Sequence, residues 1–110
     1  SYKVRAGRIA TRIAEMERED IGEKIDLQIS QCQFKLKEAN RRLVMAMKNV
    51  ENADENLRCA TVGFKEGVLQ TTDVMAAQTA WMQAQSQKID AEVDVRLSQV
   101  NLRKALGVLQ

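Results

Sequence analysis

The sequence contains no histidine and no proline, and its only aromatic residues are one Trp, one Tyr and two Phe. Without histidine, catalysis by an imidazole base and most kinds of zinc site are excluded. Four aromatic side chains are too few for a stacking platform that binds nucleic acid. The longest apolar run, Leu43–Met47, is far shorter than the roughly 20 residues that span a membrane. With no pairing of nucleophile and base either, we expect no enzymatic activity, no cofactor or metal, and no nucleic acid as partner.

What the sequence does contain is helical periodicity with one interruption. The interruption is the segment Gly63–Asp73, in which Gly67 can supply the left-handed residue that ends a helix. Thr71 or Thr72 can then cap a second helix, with Asp73 in its first turn, where an acid favours the helix dipole. The sequence therefore predicts an all-α chain with a long helix at 3–65, a tip turn at 66–71 and a shorter helix at 72–106.

The first helix carries a heptad seam. Twelve apolar residues follow one another in alternating steps of four and three, a spacing typical of a helix that supercoils against a partner. They are Ile25, Ile29, Cys32, Leu36, Ala39, Leu43, Ala46, Val50, Ala53, Leu57, Ala60 and Phe64. The two cysteines, Cys32 and Cys59, are interpreted as small apolar residues of this seam, too far apart along one helix to form a disulfide.

The second helix carries two apolar stripes, which predicts neighbouring helices on both of its sides. The first stripe is Trp81, Ala84, Lys88, Ala91, Val95, Ser98, Leu102, Ala105 and Leu109, in which Lys88 and Ser98 are the exceptions to the apolar pattern. The second stripe is Met75, Met82, Ile89, Val93, Leu97 and Val100. The segment 74–87 has no charged residue, which suits a protein–protein seam or a neutral channel wall.

The unequal helices predict a long antiparallel hairpin with an overhang. If the chain folds back at about Leu69, Leu106 lies near Cys32, and residues before about 30 have no partner in this chain. Ile9, Ile13 and neighbouring apolar residues would then be uncovered. We therefore expect the isolated chain, which looks like a piece of a larger protein, to associate with itself.

The tip region resembles the TolC family of outer-membrane efflux channels. The stretch 55–78 is similar to the family's pattern of Asn-Leu, an aromatic residue, Gly three residues after it, Asp six residues later, and Ala-Gln. The ending at 100–107, Val-Asn-Leu-Arg-Lys-Ala-Leu-Gly, resembles the close of a family repeat. The match is good over about residues 40–107, and the position of the ending indicates the second of two repeats.

The resemblance implies a homotrimeric channel with a long α-helical tunnel in the periplasm of a Gram-negative bacterium. The hairpin would be part of that tunnel, and its tip would dock to the periplasmic adaptor of a tripartite export pump whose energy comes from an inner-membrane component. By position, the docking residues would be Phe64, Glu66, Gly67, Val68 and Leu69. Asp73 matches an acid that forms a cation-sensitive constriction in some members, although a role at the helix start is the simpler interpretation.

Two alternative functions stay open at this point. One is the α-hairpin of a periplasmic adaptor protein, whose tip usually has an Arg-Leu pair followed by Ser. The other is a structural coiled-coil scaffold. The segment 66–72, Glu-Gly-Val-Leu-Gln-Thr-Thr, lacks the adaptor pattern.

Overall fold

The computed structural model describes residues Tyr2–Gly107, which form two helices and one turn. Helix α1 spans Tyr2–Lys65 (64 residues) and helix α2 spans Thr71–Gly107 (37 residues). Residues 66–70 connect them, and the described residues include no strand. The hairpin measures 98 × 20 × 14 Å, so its length is that of α1 alone at 1.5 Å per residue. The predicted fold class, an all-α antiparallel hairpin of one long and one shorter helix, is confirmed.

The predicted seam is the face of α1 that α2 covers. Eleven of its twelve residues are buried or half-buried, while the residues between them are mostly exposed. The twelfth, Phe64, is 47% exposed, so its assignment to the seam is wrong. Phe64 lies one residue before the end of α1, where the chain is already turning and α2 no longer covers it. In α2, every described member of the first stripe is likewise buried or half-buried; Leu109 lies outside the described residues.

Alanine dominates the buried part of the hairpin. Besides Val50 and Val95, the buried residues are Ala39, Ala46, Ala60, Ala77, Ala84, Ala91 and Ala105. Small side chains let two helix backbones approach closely, and larger residues flanking them stay half-exposed because a two-helix layer has no further cover. The core is therefore a narrow strip between the two helices, in which buried alanines recur at intervals of seven residues.

The amino-terminal part of α1 extends beyond α2 as an overhang. Residues 2–21 are all exposed, including Ile9 at 61%. The paired segment of α1 begins at about Gln28, since Gln28 lines one groove with Ser98 and Lys104 of α2. This agrees with the predicted limit at about residue 30. Neither described helix has an apolar segment long enough to cross a membrane.

Charged side chains within residues 2–107 form ion pairs inside each helix and none between the two. Examples are Lys24 with Asp20 at 3.3 Å and Lys48 with Glu51 at 3.6 Å. Such exposed pairs at a spacing of three or four residues each contribute only about 0.3–0.5 kcal/mol. Apolar contact along the seam therefore carries most of the association of α1 with α2.

Candidate functional site at the hairpin tip

Helix α1 ends in a Schellman motif built around Gly67. The Gly67 amide donates to the Phe64 carbonyl at 3.1 Å, and the Val68 amide donates to the Gly63 carbonyl at 2.8 Å. Gly67 has a φ of +76°, in the left-handed region that side chains with a Cβ disfavour. The glycine thus reverses the chain while satisfying carbonyl groups that the helix end would leave free.

Leu69 packs back onto Gly63. A Cβ atom at Gly63 would lie 2.8 Å from Leu69 Cδ1, so only glycine leaves room for this contact. The Leu69 amide also donates to the Gly63 carbonyl at 3.1 Å. Leu69 is therefore partly covered by the end of α1, although 37% of this residue is still exposed.

Helix α2 starts at a different cap from the predicted one. The Gln70 carbonyl accepts the Asp73 amide at 3.0 Å, and the Asp73 carboxylate accepts the Gln70 amide at 2.8 Å. Gln70 is therefore the N-cap, and Thr71 and Thr72 lie in the first turn. Asp73 supplies the side-chain half of a capping box, reaching back three residues to an otherwise free donor. Its predicted place at the helix start is confirmed, whereas its role in a constriction stays a prediction.

The five predicted docking residues differ in what they present at the tip. Val68 is the most exposed of them, at 78%, and Phe64 and Glu66 are exposed beside it. Gly67 and Leu69 instead shape the turn. The outward surface is therefore small, combining two apolar side chains with one carboxylate. The contact of Leu69 with Gly63 was missed in the sequence; its only signal was a second glycine four residues before Gly67.

A charged cluster lies on the exposed side of α1 about two turns before the tip. Arg58 donates from Nε and Nη2 to the two carboxylate oxygens of Glu55, at 3.0 and 2.6 Å. The Cys59 thiol lies 3.5 Å from the same carboxylate. These hydrogen bonds, first that of Arg58, lower the pKa of Glu55 to about 2, and the Glu55 carboxylate raises the pKa of Arg58. Cys59 is exposed, so its interpretation as a seam residue is wrong.

The second stripe of α2 faces away from α1. Its six members, Met75, Met82, Ile89, Val93, Leu97 and Val100, are each between 42% and 65% exposed. Thr79 and Ser86 fill the intervening positions, so that steps of four and three continue from residue 75 to residue 93. This second seam, which we call the outer stripe, begins one turn from the tip and has the spacing of a helix-packing surface.

The family model described as "Outer membrane efflux protein" matches residues 4–108 of the chain. This match covers nearly the whole sequence, including the overhang, the tip and the outer stripe. Comparison with curated proteins and with solved structures gives no significant match.

Proposed function

The chain belongs to the outer membrane efflux protein family, and on that premise we propose that it forms part of the wall of an α-helical efflux tunnel in the periplasm. In this proposal three copies of the full-length protein assemble the tunnel. The hairpin tip docks to a periplasmic adaptor protein, which connects the tunnel to an inner-membrane pump.

The outer stripe of α2 is the observation that carries the tunnel proposal. Its apolar residues lie on the side of α2 opposite the seam with α1, where no described residue covers them. A helix with packing surfaces on two opposite sides suits a position inside a continuous layer of helices. The absence of charge over residues 74–87 fits the same position, because charged residues are depleted where protein surfaces meet.

The shape of the tip supports end-on docking. The Schellman motif makes a blunt end only five residues long, from which Val68 projects with Phe64 beside it. Apolar groups held on a rigid turn lose little conformational entropy on binding. The family match also favours the channel over an adaptor hairpin or a cytosolic scaffold, the two alternatives that the sequence left open.

Docking can be tested by changing the conformation of the tip in the full-length protein. Gly67→Val should abolish efflux, measured as accumulation of a panel of dyes, because valine resists a φ of +76°. The protein should still form trimers, as detected by chemical cross-linking. The matched control is Thr72→Val, which places the same side chain on an exposed helical position and should leave efflux unchanged. Normal efflux in Gly67→Val cells would contradict the docking assignment.

A photoreactive amino acid at position 68 tests the partner directly. In whole cells it should cross-link the full-length protein to a periplasmic adaptor, identified by mass spectrometry. The same probe at Gln99, which is exposed and about 45 Å from the tip at 1.5 Å per residue, should not. Equal labelling of the adaptor from both positions would show that the tip is not the specific contact.

Asp73 offers a separate test of the proposed constriction. Asp73→Asn removes the charge but keeps an oxygen that can accept the Gln70 amide, whereas Asp73→Ala removes both. If Asp73 lines a constriction, both variants should reduce block of channel conductance by divalent cations. If it acts only as a cap, conductance block should stay unchanged in both, and only Asp73→Ala should lower the stability of the hairpin.

A further inference from the structure

The seam between α1 and α2 has a repeat that does not define a unique alignment. Alanine recurs every seven residues at 39, 46, 53 and 60 in α1, and at 77, 84 and 91 in α2. Sliding one helix along the other by seven residues would place alanine layers opposite alanine layers again. Apolar contact alone therefore discriminates poorly between the observed alignment and one displaced by about 10 Å.

One side-chain hydrogen bond crosses from helix to helix within the described residues. The Trp81 indole Nε1–H donates to Asp54 Oδ1. Trp81 occupies the seam position that repeats through Lys88 and Val95, and it is the only tryptophan of the chain. Lys88, the next seam position, pairs with Glu92 on its own helix at 4.0 Å and forms no ion pair with a described residue of α1.

We propose that the Trp81–Asp54 pair fixes the alignment of the two helices and thereby determines which residues form the tip. The pair lies at the edge of the seam, where Trp81 is half-buried and Asp54 is exposed. Polar partners in or beside a seam can specify register in coiled coils, because other alignments leave the donor without its acceptor. Displacement by one heptad in either direction would bring Trp81 level with a residue near 47 or 61 instead of Asp54. Neither Met47 nor Thr61 has a carboxylate to accept the indole N–H.

Both the turn at the tip and the Trp81–Asp54 pair oppose the sliding of one helix along the other. Moving the alignment by seven residues moves the turn along the chain by three or four residues, away from Gly67. The Schellman motif opposes that movement locally, and the Trp81–Asp54 pair opposes it about 17 Å from the end of α1. This inference concerns alignment within one chain and does not depend on the proposed docking function.

Spin-label distances can test the proposal. With Cys32 and Cys59 replaced by Ala, labels at Gln31→Cys and Gln83→Cys should be separated by about 32 Å along the helix axis, and a one-heptad slip would change this by about 10 Å. Labelled chains are diluted with unlabelled chains so that only distances within one chain are recorded. The labelled protein that retains Trp81 and Asp54 should give a single narrow distribution of distances.

Trp81→Phe keeps an aromatic ring but loses the donor, and Asp54→Ala loses the acceptor. Each should add a second distance population displaced by about 10 Å while circular dichroism stays helical, and the double variant should resemble either single one. Asp90→Asn, a charge change on an exposed position of α2, is the control and should keep one population. A single native distance in both Trp81→Phe and Asp54→Ala would overturn the proposal.

Discussion

Two segments of helix α1 have the same helical conformation but different surroundings. From about Gln28 to Ala60, one side of the helix packs against α2, and its alanines are buried. From Tyr2 to Ile21 the same helix continues with every residue exposed, although it has apolar residues at helical spacing. A helical pattern therefore sets the conformation of the backbone, whereas burial of a side chain depends on whether a second helix lies beside it.

The two segments should differ most in the loss of stability that the same Ala→Asp substitution causes in each. Ala46→Asp would bury an unpaired charge in the seam and should cost about 3 kcal/mol, or separate the helices altogether. Ala10→Asp has the same loss of helix propensity on the exposed overhang and should cost less than about 1 kcal/mol. Urea unfolding followed by circular dichroism measures both. Equal losses would show that the seam does not hold the hairpin together.

The second largest effect concerns the uncovered apolar residues. The isolated chain should associate at tens of micromolar, because burying apolar surface is worth about 25 cal/mol per Å². Replacing Ile89 and Val93 with Gln should weaken association by at least about tenfold, the equivalent of 1.4 kcal/mol. Replacing Ile9 and Ile13 with Gln tests the overhang in the same way. Sedimentation velocity distinguishes the two surfaces, and a strictly monomeric parent chain would contradict the prediction.

Substitution by alanine should change the stability of the hairpin in opposite directions at Gly67 and at Gly22. Neither Gly67 nor Gly22 has an atom within 4 Å of where a Cβ would lie, so crowding affects neither substitution. Gly67→Ala places a Cβ at positive φ and should destabilise the hairpin by about 1 kcal/mol. Gly22→Ala replaces glycine inside a helix and should stabilise it by about 0.5–1 kcal/mol. Thermal unfolding gives both signs, and a gain in stability for Gly67→Ala would contradict the observed turn.

The smallest effect should come from the exposed side of the paired segment. Glu55 has a pKa of about 2, chiefly because Arg58 donates to it, and its ordinary value is 4.5. Because the folded pKa is lowered, the contribution of Glu55 to stability is present above pH 4.5 and is lost as the pH falls from 4.5 to 2. It should be small, since the group is fully exposed to solvent.

An NMR titration of the Glu55 carboxyl carbon measures this pKa directly. Arg58→Gln should raise it towards 4.5, while Arg103→Gln, on the other helix, should leave it unchanged. If Glu55 titrates near 4.5 in the unchanged protein, the hydrogen bonds of Arg58 do not persist in solution.

Much of the fold could be predicted because its main signals are local or periodic. Alternating steps of four and three predicted the seam from Ile25 to Ala60, and Gly67 was predicted to end α1. The outer stripe was also predicted, since Met82 and Ile89 have the spacing of one helix face. The family resemblance to TolC-like channels rested on the short tip and carboxy-terminal motifs, and the family match confirms it.

Other features depend on the conformation of the turn and on how α2 packs against α1 after it. Spacing alone could not show that Leu69 covers Gly63, that Gln70 caps α2, or that Phe64 falls outside the seam. Each depends on the direction in which α2 leaves the turn, and a shift of one residue there moves every facing pair. The same holds for Trp81 and Asp54, which are 27 residues apart in the sequence. Backbone periodicity, which can be read from the amino-acid sequence, is enough to locate the two helices and their apolar sides. Which residues face one another depends instead on how the helices pack, because the repeating alanine seam permits more than one alignment.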